Sequence, residues 1–221
     1  KTRELFYHEE PKAVARLYVI CGPAGAGKST LIEYMKDDLG VKQIGKTTTR
    51  GGRGRVEVGD GVRRVTWDEF VKMQERGDIQ AAHEYYGERY GIDAKELMEA
   101  YNSQDAYLWD TGDADSALSL RKENPELVKV VMILPTANLI EQGLYNRLQE
   151  LGRPTNGFRS FEDEMKHLQK VGAQVVSTRQ RIENLADDYQ RMAVRCLEAD
   201  HVIEGMDYEH NVARVKEIVL G

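Results

Sequence analysis

Gly22-Pro23-Ala24-Gly25-Ala26-Gly27-Lys28-Ser29 fills every fixed position of the pattern G-x-x-x-x-G-K-[ST]. The spacing has a physical reason. Glycines let the backbone wrap tightly enough for several N–H groups to point at one phosphate. A helix starting at the lysine adds the positive end of its dipole. The lysine then reaches the β- and γ-phosphates, and the hydroxyl after it can ligate Mg²⁺. The flanks meet the same requirement. Leu17–Cys21 is an apolar run that stops at Gly22-Pro23, which reads as a buried strand entering a tight loop. Leu31, Ile32, Met35 and Leu39 follow at helical spacing, with Gly40 placed to end the helix. Gly22, Ala24, Gly25, Ala26, Gly27, Lys28, Ser29 and Thr30 are therefore the candidate triphosphate site. The motif alone does not choose between a kinase, a GTPase and a motor.

A chain that begins this way should continue as alternating strands and helices. Ala106–Trp109, ending at Asp110, and Lys129–Leu134, ending at Pro135, read as further buried strands, and His201–Ile203 as a last short one. Helical spacing covers Trp67–Arg76, Asp93–Tyr101, Leu118–Lys122, Leu139–Leu151 and two patterns within Phe161–Leu197, with a break at Gly172. A final amphipathic helix carries Val212, Val215 and Val219. Thr66 with Glu69, and Asp93 with Glu96, have capping-box spacing. Gly45–Asp60 has no helical period and reads as a loop with short strands, and Ile79–Tyr90 is strand-like. The expectation is an α/β fold: a P-loop NTPase core whose parallel sheet is covered on both faces.

Asp110, at the end of an apolar strand, is the candidate acidic partner of Mg²⁺ beside Ser29, with Asp113 and Asp115 as alternatives. The net charge of −6 argues against a protein that coats nucleic acid or anionic membrane. No apolar stretch is long enough to span a bilayer, and no signal-peptide pattern is present. The two cysteines, Cys21 and Cys196, sit among apolar residues and read as buried, reduced thiols of a cytoplasmic protein.

Several further segments resemble the guanylate kinase family, over about Leu17 to Val219. Thr48-Thr49-Arg50 with Arg53 is similar to its Thr-Thr-Arg-x-x-Arg, and Thr66-Trp67-Asp68-Glu69-Phe70 to its Ser-x-x-Glu-Phe helix start. Gly87-Glu88-Arg89-Tyr90-Gly91 resembles its Gly-Asn-Tyr-Tyr-Gly turn, and Leu108-Trp109-Asp110 its Leu-Asp-Ile-Asp strand end. The resemblance implies a leader over 1–16 and a single domain over 17–221. It divides the latter into a core (17–44 and 94–140), an acceptor-binding insertion (45–93), a lid (141–180) and C-terminal core elements (181–221). It implies that Arg50, Arg53 and Tyr90 hold the acceptor's phosphate, which suits a dianion that takes planar bidentate donors. It also implies lid arginines among Arg147, Arg153, Arg179 and Arg181, with Lys28, Arg147, Arg153 and Arg181 acting on the transferring phosphoryl group. ATP with Mg²⁺ and a small phosphorylated acceptor, a nucleoside monophosphate, are the implied ligands.

The base-reading positions depart from that family. Lys46, Ala81, Ile92 and Gly112 stand where it places a small polar residue, a Glu, a Ser or Thr and an Asp, and Val62 stands where it has a tyrosine on the acceptor phosphate. Losing a carboxylate on guanine's N–H groups removes a charge-assisted pair of roughly 1.5–3 kcal/mol. The phosphate clamp is kept while the base reader is altered. Segment 151–176 is longer than the family's lid and carries Arg159, Lys166, His167 and Lys170. The expected function is therefore an ATP-dependent nucleotide kinase acting on GMP, dGMP or an altered or modified base. Competing readings are a P-loop kinase for a sugar phosphate or a modified nucleotide in DNA, and a non-catalytic binding module.

Overall fold

The computed structural model describes residues 15–51, 61–151, 161–205 and 207–221. Its main sheet is built from β1 (Leu17–Cys21), β2 (Lys42–Gln43), β7 (Tyr107–Thr111), β8 (Val128–Ile133) and β9 (His201–Ile203), in the order β2-β7-β1-β8-β9. All its pairings are parallel. Every residue of β1 is buried, as a central strand covered on both faces requires. Leu17, Val19 and Cys21 point into one core layer, against α3 (Ala94–Asn102), α4 (Ala114–Glu123) and α7 (Leu185–Arg195). Tyr18 and Ile20 point into the other, against α1 (Lys28–Asp37) and α8 (Tyr208–Leu220). The Tyr18 hydroxyl ties this second layer by donating to Val219 O at 3.2 Å.

A second sheet holds β3 (Lys46–Thr48), β4 (Val62–Arg64), β5 (Ile79–Tyr85) and β6 (Glu88–Asp93), in the order β4-β3-β6-β5. Its outer face packs α2 (Trp67–Glu75) through Phe70, Met73 and Ile79. Helices α5 (Ala137–Leu151) and α6 (Phe161–Glu183) complete the fold. Ile140 and Leu144 of α5 pack with Leu185 beside the glycine-rich loop.

The caps read from the sequence are partly realised. Thr66 and Glu69 form a full capping box on α2. Asp93 caps α3 as expected, but the Glu96 carboxylate leaves the helix end and accepts from Gly45 N–H at 2.6 Å. A loop amide with no strand partner competes for the same carboxylate and wins.

The expected break at Gly172 is absent. α6 runs through it, and the chain turns at Asn184 instead. An interior glycine costs about 1 kcal/mol relative to alanine, too little to stop a long helix. Cys21 is buried, and burial pushes its thiol up to about 12. Cys196 is only half-buried, against expectation, because it sits at the exposed end of α7. The short pairing of Lys42–Gln43 with β7 carries no apolar signal and is legible only in the structure.

Candidate functional site

The carboxyl ends of β1 and β7 lie side by side, with Ile20 opposite Asp110 and Cys21 opposite Thr111. In a parallel α/β sheet this edge is where ligands bind. The glycine-rich loop leaves β1 here. Gly27 caps α1 in a left-handed conformation, φ 87°, which a residue without Cβ adopts at no steric cost. No side chain caps the first turn of α1, and no acidic residue lies in it. By contrast, α2, α3, α4 and α8 are capped by Thr66, Asp93, Asp113 and Asp207, and α7, which also lacks a side-chain cap, carries Asp187 and Asp188 in its first turn. The uncapped N–H groups of α1 form an anion site made of backbone. Ser29 and Thr30 are exposed on that turn, while Ala26 is buried beneath it.

Lys28 folds back over the loop, donating from Nζ to Gly22 O at 2.7 Å and Pro23 O at 2.8 Å. Burial pushes this ammonium down to about 8, opposed first by the nearby Asp110 carboxylate and reinforced by the charges of Lys46 and Arg181. Asp110 Oδ2 lies 2.7 Å from Lys46 Nζ, with both side chains 21% exposed. The two alternative acids are committed elsewhere: Asp113 caps α4 through Ser116 N–H at 2.8 Å, and Asp115 pairs with Arg195 at 2.7 Å.

The inner face of the second sheet looks onto the same edge. Cross-strand partners share a face, so the pairs Lys46–Ile92 and Thr48–Tyr90 point together, and His83 joins them by pairing with Tyr90. Arg50 follows β3, donates its backbone N–H to Thr48 Oγ1 at 3.0 Å, and donates from Nη2 to Ser177 Oγ of α6 at 3.2 Å. Arg181, one turn on in α6, is 7% exposed, and its charge is felt by both Lys28 and Tyr86. The structure thus gathers Lys28, Asp110, Arg50, Tyr90 and Arg181 around one sheet edge. Arg179 is exposed. Arg53 and Arg153 lie outside the described residues, as does the side chain of Arg147 on α5.

His83 carries a signal that the sequence reading did not find. A bulge in β5 sets Ala81 and Ala82 against the single residue Gly91, and Ala81 adopts φ 49° to make it. A left-handed conformation costs a non-glycine residue about 1–2 kcal/mol. The extra residue reverses the alternation, so His83 turns to the inner face instead of the outer one. There its ring stacks on Tyr90 (centroids 5.6 Å, interplanar 18°) and meets Trp109 edge-on at 6.1 Å. Nδ1 lies 3.0 Å from Ala81 O, and Nε2 lies 3.3 Å from Thr111 Oγ1. Burial holds this imidazole below its ordinary 6.5, so it is neutral near pH 7.

Tyr85 and Tyr86 do more than pack. Both hydroxyls donate to Asp188 Oδ2 of α7, Tyr85 at 2.8 Å, which fastens the β5–β6 turn to the helices. The Tyr85 ring also crowds the space beside Gly112, where a Cβ would lie 3.2 Å from it, so a larger residue there would need the ring to shift. Ile92 is fully buried against Trp109. Beyond Tyr85 a cavity of about 800 Å³ is lined by Glu84, Asp113, Asp115, Asp187 and Asp188 together with Arg191 and Arg195, of which Arg195 pairs with Asp115. Acids outnumber bases on this wall, so it suits phosphate less than the sheet edge does.

The chain is 32% identical over 155 residues to a guanylate kinase of Pseudomonas fluorescens, covering 68% of this chain and 74% of that protein. It is 29% identical over 154 residues to a guanylate kinase of Chlamydia felis, covering 66% and 71%. No family model matches. In structure it is similar to the guanylate kinase of Anaplasma phagocytophilum, with a TM-score of 0.61 at 20% identity over 94% of this chain and 85% of that one, a likeness of fold.

Proposed function

The chain belongs to the guanylate kinase family, ATP-dependent nucleoside monophosphate kinases, and from that premise we propose that it phosphorylates GMP, dGMP or a monophosphate with an altered base. The observation that carries this reading is the opposition of two phosphate sites across one sheet edge. One is the uncapped start of α1 with Lys28. The other is Arg50 with Tyr90 on the inner face of the second sheet.

In this reading the loop N–H groups bind the β-phosphate, and Lys28 exchanges two backbone carbonyls for phosphate oxygens. Arg50, and Arg53 beyond it, grip the acceptor phosphate with Tyr90. An oxygen of that phosphate attacks the γ-phosphorus, the bond to the β–γ bridging oxygen breaks, and ADP leaves with the electron pair. No covalent enzyme intermediate is involved. Arg181, already buried beside Lys28, neutralises charge on the transferring group, with Arg147 and Arg153 assigned the same task. Segment 141–180 is the lid that excludes water.

Magnesium fits the residues present. NTP-bound Mg²⁺ needs only one or two protein groups, because phosphates and water fill the rest. The exposed Ser29 hydroxyl and the Asp110 carboxylate stand at the same edge and would hold it. When bound it neutralises the β- and γ-oxygens. Lys46, Ala81, Ile92 and Gly112 favour an altered base preference over the family's ordinary reader.

The test follows labelled γ-phosphate from ATP onto a panel of ribo- and deoxynucleoside monophosphates. Label appearing on a nucleoside diphosphate, and only with an acceptor present, supports the proposal. Release of free phosphate at the same rate with or without every acceptor overturns it.

A further inference from the structure

His83 and Thr111 meet at the centre of the inner face with a donor and an acceptor side by side. A carbonyl can only accept, so the contact of Nδ1 with Ala81 O places the imidazole proton on Nδ1. Nε2 is then a bare acceptor. Thr111 Oγ1 already accepts from Asp113 N–H at 3.0 Å, so its own proton points to Nε2 across 3.3 Å. That last bond is long, and a ligand that satisfies both groups replaces it at little cost.

We infer that His83 and Thr111 are the base-reading pair of this enzyme, with Nε2 accepting from a ring N–H and the Thr111 hydroxyl donating to the adjoining carbonyl oxygen of a lactam-type base. This rests on the proposed kinase reading, because it takes the acceptor phosphate to sit at Arg50 and Tyr90, whose ring stacks on His83. The Lys46 ammonium, held at the same edge, favours a carbonyl over an exocyclic amine facing it. The carboxylates around the site are otherwise engaged. Asp110 binds Lys46, Asp113 caps α4, Glu88 accepts from Thr49 Oγ1 at 2.6 Å, and Asp188 takes both tyrosine hydroxyls. Glu84 pairs across the strands with Arg89, on the face opposite His83, so among the described residues no carboxylate of the inner face is left to accept from the 2-amino group of guanine. The pocket therefore selects the lactam edge and is blind to that amine.

The test compares kcat/KM of the full chain for GMP, IMP, 1-methyl-GMP and AMP. IMP lacks only the 2-amino group, and 1-methyl-GMP carries a methyl in place of the ring N–H. The expected result is GMP and IMP within about threefold, and 1-methyl-GMP and AMP lower by about 10- to 100-fold, the worth of hydrogen bonds left unmade. Thr111→Val should raise KM for GMP and IMP by about 10-fold, leave KM for ATP unchanged, and be rescued by Thr111→Ser. Preference for GMP over IMP above about 100-fold would show a group reading the amine and overturn the inference. Equal use of AMP, or equal damage by Thr111→Val to every acceptor, would do so too while leaving the kinase reading intact. Transfer to no monophosphate would overturn both.

Discussion

Two walls face each other across the carboxyl edge of the main sheet, and in the proposed reading they bind their ligands by different means. The loop wall uses backbone: glycines, an uncapped helix start and one lysine. In the proposed reading the wall formed by the second sheet uses side chains, Arg50 and Tyr90 for the phosphate and His83, with Thr111 of β7, for the base. A backbone site depends on spacing and tolerates little change in it. A side-chain site can be rebuilt residue by residue while its strands stay in place. This accords with a loop that keeps every fixed position while Lys46, Ala81, Ile92 and Gly112 depart from the guanylate kinase pattern.

Substitutions on each wall separate the two. Lys28→Ala should lower kcat by about 10²–10³-fold or more, since it removes a donor to the transferring phosphoryl group. Steady-state kinetics at saturating ATP check this, and a loss below tenfold would break the assignment of the loop. Arg50→Ala removes a charge-assisted contact of about 1.5–3 kcal/mol. It should raise KM for the acceptor by one to two orders of magnitude, with little change in KM for ATP.

The fastening of the β5–β6 turn to α7 has its own signature. Asp188→Ala strands the Tyr85 and Tyr86 hydroxyls and should cost about 1–3 kcal/mol in denaturant unfolding, with Asp188→Asn costing less because it keeps an acceptor. Equal stability of Asp188→Ala and the native chain would show that the turn is not held there.

The loop wall also carries a pH dependence. With Lys28 held near 8 in the nucleotide-free chain, ATP must bring a proton onto it at higher pH. Affinity should therefore weaken by about tenfold for each pH unit above that value, with proton uptake visible by calorimetry in buffers of different ionisation enthalpy. The same depression means that the unfolded chain holds a proton the folded one lacks between about 8 and 10.5, so stability of the nucleotide-free protein rises with pH across that window.

The smallest effect concerns α6, which links Ser177 to Arg50 and carries Arg181. A Cβ at Gly172 meets nothing within 4 Å, so Gly172→Ala should stabilise the protein by about 0.5–1 kcal/mol. A loss instead would mean that the helix needs to bend there.

Legibility in the sequence follows the same division. The phosphate loop, the buried strands and the Thr66 and Asp93 caps are written locally, because glycine spacing, apolar runs and short-range hydrogen bonds leave their marks within a few residues. Arg50 and Tyr90 were found through a family pattern, and their meeting is set by the pairing of Thr48 with Tyr90. His83 was not found, because its direction depends on the bulge at Ala81, and an alanine in a left-handed conformation has no sequence mark. The helical break was misplaced at Gly172 because packing, not propensity, decides where α6 stops. Glu96 left its cap for Gly45, a residue far away in the chain.

The most direct measurement titrates ATP and GMP separately into Lys28→Ala and Arg50→Ala by calorimetry. Two independent walls predict that Lys28→Ala weakens ATP by at least about tenfold while GMP stays within about threefold, and that Arg50→Ala does the reverse. If each variant weakens both ligands alike, the two phosphate sites are not separate, and the account of the cleft fails.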